Sequence, residues 1–374
     1  MISRDVHVVG AGIAGLTVAA CLAQRGWTVT VHERSPELRE IGAGIGIKEN
    51  SITVMEELGC FDVIRRQAQR IEHTFINDRP GHTLRSTSYG TERVYTVRRR
   101  DLHRELAKCA ASFGATIKLN STVTGVNASG QIGTAEGFFQ SDLIIGADGL
   151  GSLVRVQAGL GGEATSMNSG STRTLIPRTS RDSSNTSGEY WRGHKRVLLM
   201  PMTDDTLYVC ASSREDDARG VAVPFDQAYW SASFPELSHV FERIAPDASL
   251  SHFAHGVVRA DKWHRGRIAL LGDAAHGQPP NLGQGAGVAI ANARVLAEAL
   301  DGTDDVETAL TSWESRQKQF TRQIQNWSVG WEHFMHRWPV MLEPLRSKVV
   351  IGIANFPPTR KHWKDLYRGI KSPE

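Results

Sequence analysis

Glycines and carboxylates with chemically useful spacing recur at separate places in the chain. The first place is the hexapeptide GAGIAG, which holds Gly10, Gly12 and Gly15 and is followed by an acid, Glu33. A glycine turn of this spacing lets backbone N–H groups approach a pyrophosphate, and an acid about 20 residues later can accept hydrogen bonds from ribose hydroxyls. Because a carboxylate disfavours a 2′-phosphate, this stretch predicts FAD or NAD rather than NADP.

Two aspartates further along the chain have a similar setting. Asp148 in GADG and Asp273 in GDAAHG each follow a short apolar run that is typical of a buried parallel strand. Open α/β sheets bind ligands beyond the carboxyl ends of their strands, so these acids are expected at the same site as the first motif. After Asp273, Gly283 and Gly285 open a predicted helix, whose N–H groups and dipole suit a flat heterocycle that becomes anionic.

Hydrophobic periodicity indicates the elements that position these residues. Apolar strands alternate with helices around the glycine and aspartate motifs, whereas alternating, turn-rich patterns after residue 70 indicate strands of another sheet. Residues 196–202 and 206–213 predict a hairpin of that sheet. We expect residues 161–190 to form a mobile excursion, and the glycines at 42, 44 and 46 to form a flexible loop near the ligand.

The composition argues against a highly charged partner. Among 374 residues, 43 basic and 40 acidic side chains give a formal net charge of +3, which predicts no nucleic-acid or membrane partner. The four cysteines lack CxxC and Cys/His spacing, so we expect neither a disulfide framework nor a metal site. No export signal or apolar run of membrane-spanning length is present, and we expect a cytoplasmic protein.

In this order, the motifs GAGIAG, DLIIGADGLGSLVR and ALLGDAAHGQPPNLGQGAG resemble the signature of class A flavoprotein monooxygenases over nearly the whole chain. Within that class, GWTVTVHERSPELREIGAGIGIKEN, WESR and DARG are similar to the 2-methyl-3-hydroxypyridine-5-carboxylic acid oxygenases; salicylate and hydroxynicotinate hydroxylases are more distant. The resemblance implies FAD as cofactor, NAD(P)H as co-substrate and no metal. Together, the motifs and the resemblance predict this cofactor-binding set: Gly10, Gly12, Ala14, Gly15, Glu33, Arg34, Arg39, Arg99, Val123, Asp148, Asp273, Gly283, Gln284, Gly285 and Ala286. Arg39 could place a cation on the pyrophosphate or be a solvated surface residue.

The resemblance also implies roles for several members of this set. Glu33 would bind the adenosine ribose, Val123 would touch adenine through its backbone, and Arg99 would lie near the flavin chain. Asp273 would hold a ribityl hydroxyl. Asp148 belongs, with Arg155, to a segment expected to serve FAD and NAD(P)H together.

The predicted fold class is α/β, with a Rossmann-like FAD-binding domain, an inserted β-sheet substrate domain and a long C-terminal helix, as in para-hydroxybenzoate hydroxylase. The FAD-binding domain would comprise residues 1–70, 95–160 and 256–345, and the substrate domain residues 71–94 and 161–255. Aromatic residues at helical spacing between 312 and 338 predict the long helix. Residues 346–374 are expected to form a tail.

The implied reaction is hydroxylation of an aromatic or N-heteroaromatic carboxylic acid, such as a hydroxypyridine carboxylate, by a flavin hydroperoxide formed with O2; ring opening is an open alternative. The candidate catalytic residues are Arg196, Tyr208, Pro280 and His73. Arg196 is expected to pair with the substrate carboxylate, and Tyr208 to bond a ring hydroxyl or order water. Pro280 matches a flavin-side proline, and His73 or its neighbour falls near a pocket tyrosine of the relatives. The relatives have an aromatic pair where this chain has Gly46 and Lys48.

Other functions also remain open at this point. They are a salicylate- or hydroxybenzoate-type hydroxylase, a flavin reductase or halogenase of the same superfamily, and an FAD-binding redox sensor without turnover. The absence of a WxWxIP segment disfavours the halogenase. The expected partners are a small aromatic or heteroaromatic acid, O2 and a second copy of the chain in a homodimer.

Overall fold

The computed structural model describes residues 4–39, 43–203, 205–246, 248 and 250–356. The β-strands in this part of the chain are, in chain order, β1 (Asp5–Val9), β2 (Thr28–His32), β3 (Gly44–Ile47), β4 (Ala68–Arg70), β5 (His73–Arg79), β6 (His82–Ser88), β7 (Tyr95–Arg98), β8 (Thr116–Lys118), β9 (Val123–Val126), β10 (Gln131–Thr134), β11 (Gly137–Gln140), β12 (Leu143–Gly146), β13 (Thr165–Pro177), β14 (Thr186–Arg192), β15 (Lys195–Thr203), β16 (Thr206–Arg214), β17 (Ser251–Val257), β18 (His264–Arg265) and β19 (Ile268–Leu270).

The α-helices of the same residues are α1 (Ile13–Gln24), α2 (Glu49–Glu57), α3 (Phe61–Arg65), α4 (Arg99–Ser112), α5 (Leu153–Gln157), α6 (Gln227–Ser233), α7 (Ser238–Phe241), α8 (Asp273–His276), α9 (Gly285–Asp301), α10 (Val306–His336) and α11 (Glu343–Asn355). Short 3₁₀ segments cover Pro235–Leu237, Pro280–Leu282 and Val340–Leu342.

A six-stranded sheet carries the glycine and aspartate motifs. Its strand order is β18-β19-β12-β1-β2-β8, and all its pairs are parallel except β18 with β19. The central strands β1 and β12 consist almost wholly of buried apolar residues, as expected for a parallel sheet covered on both faces. Their carboxyl ends lie side by side, because Val9 is paired with both His32 and Gly146.

A seven-stranded sheet faces this unit, in the order β17-β13-β16-β15-β14-β5-β6. Neighbouring strands are antiparallel except β14 and β5. One face buries Val197 and Val209 against α6 and α7, around Trp230. The opposite face carries Arg196, Tyr208 and their row neighbours, since alternate residues of a strand point to opposite faces.

Helix α10 forms much of the core beyond these sheets. It begins after Asp305, whose carboxylate accepts a hydrogen bond from the Thr308 N–H at 3.0 Å, and it runs for 31 residues. The apolar side of the helix packs against β5, β6 and β14, where Trp331 lies edge-on to Trp191. The mixed α/β class and the long C-terminal helix predicted from the sequence are therefore confirmed.

Several local expectations were wrong. Residues 161–190 contain the 13-residue strand β13 and the start of β14, and several of the Ser and Thr residues that suggested mobility are buried where β13 pairs with β16 and β17. Gly44 and Gly46 lie in strand β3, paired with β7, and do not form a loop; Gly42 falls outside the described residues. The predicted tail begins inside α11, where Arg346 and Val350 are buried, and its residues 357–374 lie outside the described range. The domain bounds stay a prediction.

Candidate active site

The motifs predicted at one site converge at the carboxyl edge of the six-stranded sheet. A Cβ built on Gly10 would lie 2.6 Å from the Ala147 carbonyl oxygen, so the first and second motifs touch through their backbones. A Cβ built on Gly272, just before Asp273, would lie 2.8 Å from the Ala14 Cβ. The first glycine turn thus lies between the segments that carry Asp148 and Asp273.

The glycine turn fits a dinucleotide. A Cβ on Gly15 would lie 1.9 Å from the Gly10 carbonyl oxygen, so only glycine lets α1 start this close to β1. A Cβ on Gly12 would meet no described atom within 4 Å, and Gly12 precedes α1 without a capping side chain. Open space before uncapped N–H groups at a helix N-terminus is what a pyrophosphate requires. The residues present therefore fit FAD.

Glu33 is held firmly at the end of β2. Its Oε2 accepts a hydrogen bond from the Ala11 N–H at 3.0 Å, and its Oε1 accepts one from the Ser35 N–H at 2.9 Å. The start of β9 lies beside it, because the Ser121 N–H donates to the Glu33 carbonyl oxygen, which places Val123 near this carboxylate. The position of Glu33 at the end of β2 is compatible with its predicted role at the adenosine ribose, and that role stays a prediction.

The two arginines after Glu33 face solvent. Both Arg34 and Arg39 are exposed, and Arg39 Nη1 lies 3.6 Å from Glu37 Oε1. By contrast, Arg99 begins α4 half-buried, and its N–H donates to the Ala43 carbonyl oxygen. His103 of α4 also reaches the glycine turn, with Nε2 at 2.7 Å from the Ala11 carbonyl oxygen, a contact that the sequence did not suggest.

Asp148 and Arg155 stabilise the second motif. Asp148 accepts hydrogen bonds from the Ser152 hydroxyl at 2.5 Å and the Val154 N–H at 3.2 Å. The Arg155 guanidinium donates to the carbonyl oxygens of Gly162, Ala274 and Leu150 at 2.7–3.0 Å. Asp148 therefore fixes the turn after β12, and Arg155 ties that turn to the Asp273 segment through Ala274.

The segment before α9 brings the third motif toward the second sheet. Gly283 adopts φ of +58°, a left-handed conformation that glycine accommodates, and Gly285 then begins α9 with Ala286 partly buried. The Gln284 side chain accepts a hydrogen bond from Asn50 Nδ2 at 3.2 Å. A Cβ built on Gly283 or Gly285 would meet no described atom within 4 Å, which leaves room for a flat ring at this helix start.

Lys48 holds the same segment from the other side. It is buried, and its Nζ donates to the Leu282 carbonyl oxygen at 3.1 Å. Burial lowers the pKa of Lys48 to about 7, and the nearby Arg85 acts in the same direction. The sequence identified Lys48 only as a departure from the relatives, whereas the structure places it against the segment that follows Pro280.

Tyr208 lies on the inner face of the seven-stranded sheet, in a mainly apolar group. Burial raises the pKa of its phenol, which keeps it protonated. A Cβ built on Gly44 would lie 3.1 Å from Tyr208 Cγ and 2.6 Å from Met202 Sδ, so β3 packs directly on this face. The residues packed around Tyr208 are Met202, Cys210, Ala43, Leu175, Leu198 and Met200.

Arg196 occupies the same face, but its charge is already paired. Its Nε lies 2.7 Å from Glu189 Oε1, and its Nη2 donates to Glu189 Oε2 at 3.0 Å. Its Nη1 donates to Asn281 Oδ1 at 3.1 Å, which links the sheet to the residue after Pro280. The structure thus places Arg196 and Tyr208 on one face of the sheet and ties Arg196 to the segment that follows Pro280, but Arg196 does not offer a free charge to a substrate carboxylate.

Arg173 is a cation on this face that sequence reasoning missed. It pairs in register with Cys210, so its side chain lies on the same face as Tyr208 and Arg196. No carboxylate among the described residues lies within ion-pairing distance of it, its Nε is buried without a hydrogen-bond partner, and its guanidinium lies 5.3 Å from the Phe253 ring centroid. A lone arginine in the alternating stretch STRTLIP was the available signal.

His73 does not join the other candidates. It starts β5, is exposed, and shares its face with Phe75, whose ring meets Tyr190 on the outer side of the sheet. Its neighbour Thr74 points to the inner face instead. Because side chains alternate along a strand, a shift of one residue decides which of the two points to the face that carries Tyr208, three strands away.

Similar proteins agree with this geometry. The family model described as "FAD binding domain" matches residues 3–328, so the chain belongs to this family of FAD-binding proteins. AqdB1 of Rhodococcus erythropolis, named as a candidate 2-heptyl-3-hydroxy-4(1H)-quinolone synthase, is 36% identical over 337 residues, 88% of each chain. A 2-heptyl-3-hydroxy-4(1H)-quinolone synthase of Mycobacteroides abscessus is 33% identical over 84% of this chain and 86% of its own length. The tetrameric form of 2-methyl-3-hydroxypyridine-5-carboxylic acid oxygenase superposes with a TM-score of 0.85 at 29% identity, covering both chains completely.

The chain is thus an FAD-dependent monooxygenase of the aromatic hydroxylase type, with NAD(P)H as the co-substrate typical of the class, as predicted from the three motifs. No helix in the described ranges is long and apolar enough to cross a membrane. Within the same ranges, no group of His, Cys, Asp and Glu side chains is arranged to hold a metal ion.

Proposed function

We propose that this protein hydroxylates an N-heteroaromatic ring, with a 2-alkyl-4(1H)-quinolone as the first candidate substrate and its carbon 3 as the position that receives oxygen. The observation that carries the proposal is Arg173, a cation without a carboxylate partner among the described residues, beside Tyr208 on a largely apolar face. The names of the two similar quinolone synthases supply the ring.

The chemistry of the ring explains why such a face would suit it. Bound FAD supplies the reduced flavin that activates O2 for transfer of one oxygen atom. Carbon 3 of a 4-quinolone must donate an electron pair to the incoming oxygen atom, and this pair is supplied by negative charge on the exocyclic oxygen at carbon 4, so the deprotonated, enolate-like form of the ring reacts best. Arg173 can bind this oxygen and favour its anionic form, because a cation in a poorly hydrated site acts strongly on nearby charge.

The remaining residues would orient the ring and exclude water. Met200, Met202 and Leu175 offer apolar contacts to the ring and to an alkyl chain, and methionine adapts to such shapes. Tyr208 would donate from its protonated hydroxyl. Arg196, neutralised by Glu189, would act through Asn281 on the segment after Pro280 and leave charge recognition to Arg173.

A hydroxypyridine carboxylate is the second candidate substrate. Arg173 could pair with its carboxylate as well as with a quinolone oxygen, and the fold is shared with 2-methyl-3-hydroxypyridine-5-carboxylic acid oxygenase. The candidates differ in what the substrate presents to the apolar residues: a long alkyl chain in one case and a small methyl group in the other. The homodimer and the cytoplasmic location stay predictions.

A substrate panel tests the proposal. Purified protein loaded with FAD is mixed with NADH or NADPH and with 2-heptyl-4(1H)-quinolone, unsubstituted 4(1H)-quinolone or a 3-hydroxypyridine carboxylate. We expect the alkyl quinolone to accelerate NAD(P)H oxidation most, and mass spectrometry to show addition of one oxygen atom. Addition of two oxygen atoms to the pyridine would support the second candidate instead. Oxidation that no ring accelerates would contradict both and favour a redox sensor.

A further inference from the structure

One side of helix α10 carries a row of buried polar residues. Thr321, Gln325, Ser328 and Glu332 recur at steps of four, three and four residues, which places them on one helix face, and each is at most 2% exposed. From the sequence, the helical spacing of the neighbouring tryptophans predicts only that α10 packs through an apolar face, and it does not indicate this polar row. We call these four residues the polar row of α10.

The polar row follows the loop that precedes α9. Gln325 Nε2 donates to the Gly277 carbonyl oxygen at 2.8 Å, and the Ser328 hydroxyl donates to the Pro279 carbonyl oxygen at 2.5 Å. Glu332 Oε2 accepts a hydrogen bond from Asn281 Nδ2. Three residues of one helix face therefore hold every second residue of the loop that passes Pro280.

Glu332 also decides which way the Asn281 amide points. Asn281 Nδ2 donates to Glu332 and, at 3.1 Å, to the Ser328 carbonyl oxygen, so that Oδ1 is turned toward Arg196. The opposite orientation would place an NH2 group against the guanidinium, where both groups are donors. A fixed amide here joins the loop to the substrate-facing sheet.

The other partners of Glu332 keep it ionised. Burial opposes its charge, but hydrogen bonds from His255 and Ser169 and the proximity of His336 hold its pKa well below the ordinary range. His255 in turn lies 2.6 Å from the Ser171 hydroxyl, which resembles a hydrolase triad. Ser171 is fully buried in β13 and bonded to Ser212, so a substrate carbonyl could not reach it; the arrangement is an anchor for Glu332.

We propose that Glu332 is a positioning residue of the active site: with Gln325 and Ser328 it fixes the loop at residues 277–282, and it orients the Asn281 amide so that the loop and Arg196 are held in register. The inference rests on the proposed site but not on the identity of the ring.

Exchanging the donor and the acceptor tests this role. E332Q places an amide NH2 against Asn281 Nδ2, and N281D places two carboxylates together. The double variant N281D/E332Q restores one hydrogen bond with its direction reversed, keeps the total charge, and still offers Arg196 an oxygen. We expect each single variant to lower kcat/KM by about tenfold or more, the cost of disturbing one buried charged hydrogen bond, and the double variant to recover at least part of that loss.

A second readout does not depend on any substrate. Hydrogen exchange is measured on the peptide that covers residues 277–284, where the Gly283 N–H donates to the Pro280 carbonyl oxygen. We expect faster exchange in both single variants and slower exchange again in the double variant. If the proposed substrate is wrong, kinetics will fail for every form, including the unchanged protein, while the exchange pattern will still appear.

A matched control lies on the same helix. Glu314 is also a paired carboxylate of α10, bonded to His264 and the Trp263 N–H, but it does not touch the loop. E314Q should leave exchange at 277–284 and kcat/KM unchanged. The proposal is overturned if the losses of the single variants simply add in the double variant, or if E332Q exchanges and turns over like E314Q. Should E332Q fail to fold, recovery of folded protein in the double variant would support the pairing, and continued failure would contradict it.

Discussion

Close backbone packing shapes the edge of the six-stranded sheet, whereas paired and unpaired side chains shape the inner face of the seven-stranded sheet. Gly10 and Gly15 each bring one backbone segment against another, Gly272 lies against the Ala14 side chain, and a Cβ at any of the three would collide with its neighbour. On the inner face, Arg196 is fixed by Glu189 and Asn281, whereas Arg173 has no carboxylate partner among the described residues.

This difference explains why substitutions are tolerated differently in the two regions. A backbone cradle binds the part of the cofactor that is the same in every FAD, and it needs small residues at fixed spacing. A surface of paired side chains can change its preferred substrate when one partner is replaced, while the sheet beneath it stays intact. Variants at each of the two regions test whether backbone packing controls flavin binding and side chains control substrate preference.

The largest effect is expected at Gly15. G15A would put a Cβ 1.9 Å from the Gly10 carbonyl oxygen, and backbone cannot yield as a flexible side chain can, so we expect protein that is destabilised and does not retain flavin. G12A is the matched variant, because its Cβ meets no described atom within 4 Å. Flavin absorbance per protein and the thermal midpoint of the flavin-free form are measured. G12A should keep that midpoint within about 2 °C and yet bind FAD at least about tenfold more weakly. Normal flavin content in G15A would contradict a backbone cradle.

Arg173 should give the next largest effect, and only on the substrate side. We expect R173M to retain FAD but to lower kcat/KM for the accelerating ring by about 30-fold, the cost of one charged hydrogen bond, and R173K to recover part of the loss. R214M is the control, since Arg214 lies at the exposed end of β16 and pairs with Asp216. Steady-state NAD(P)H oxidation measures all three. An unchanged kcat/KM in R173M would contradict the proposed role of the Arg173 charge in substrate binding.

The same contrast governs what could be predicted from the sequence. The FAD family, the parallel sheet and the meeting of Gly10, Asp148 and Asp273 followed from the motifs, because these depend on local backbone and on strand ends. His73 lies on the opposite face of the seven-stranded sheet from the other candidates. The sequence does not determine which residues of β5 point to which face, because a shift of one residue in register exchanges the two faces.

Side-chain partners were harder to predict for a related reason. Arg196 was expected to meet a carboxylate, and it does meet one, but the carboxylate belongs to Glu189 of the neighbouring strand. Arg173 was overlooked because its strand is rich in Ser and Thr and was interpreted as mobile. In α10, tryptophans at helical spacing drew attention away from Glu332. Each of these outcomes depends on which distant residues face one another.

Lys48 offers a smaller effect of opposite sign. Its pKa falls from 10.5 to about 7 on folding because of burial, so the folded state binds its proton more weakly than the unfolded chain does. The resulting cost to stability is full below pH 7 and disappears as the pH rises to about 10.5. This pKa change alone corresponds to about 4 kcal/mol at pH 7 and about 2 kcal/mol at pH 9. K48M removes that cost but leaves the Leu282 carbonyl oxygen without its donor, so we expect it to raise the free energy of unfolding by about 2 kcal/mol at pH 7, with a smaller gain at pH 9, and to reduce turnover. Urea unfolding at both pH values and NAD(P)H oxidation measure this. A stabilised variant with full activity would show that Lys48 has no part in the site.

The last expected effect concerns stability in acid, and it involves one buried histidine near Asp273 and another near Glu332. Burial lowers the pKa of His276, beside Asp273, and of His336, beside Glu332, from 6.5 to about 4. The unfolded chain therefore binds more protons between pH 6.5 and 4, and stability is lost as the pH falls through that window. Each ring accounts for a loss of about 2 kcal/mol in the free energy of unfolding between pH 7.5 and 5.

Urea unfolding of H276Q at these two pH values tests this. The loss of unfolding free energy should be smaller in H276Q than in the unchanged protein by about 2 kcal/mol. H73Q, a change at an exposed ring, is the control. Because His276 Nε2 accepts a hydrogen bond from Asn292 Nδ2 at 3.1 Å only when it is unprotonated, an equal loss in H276Q would mean that this ring is not buried in its neutral form.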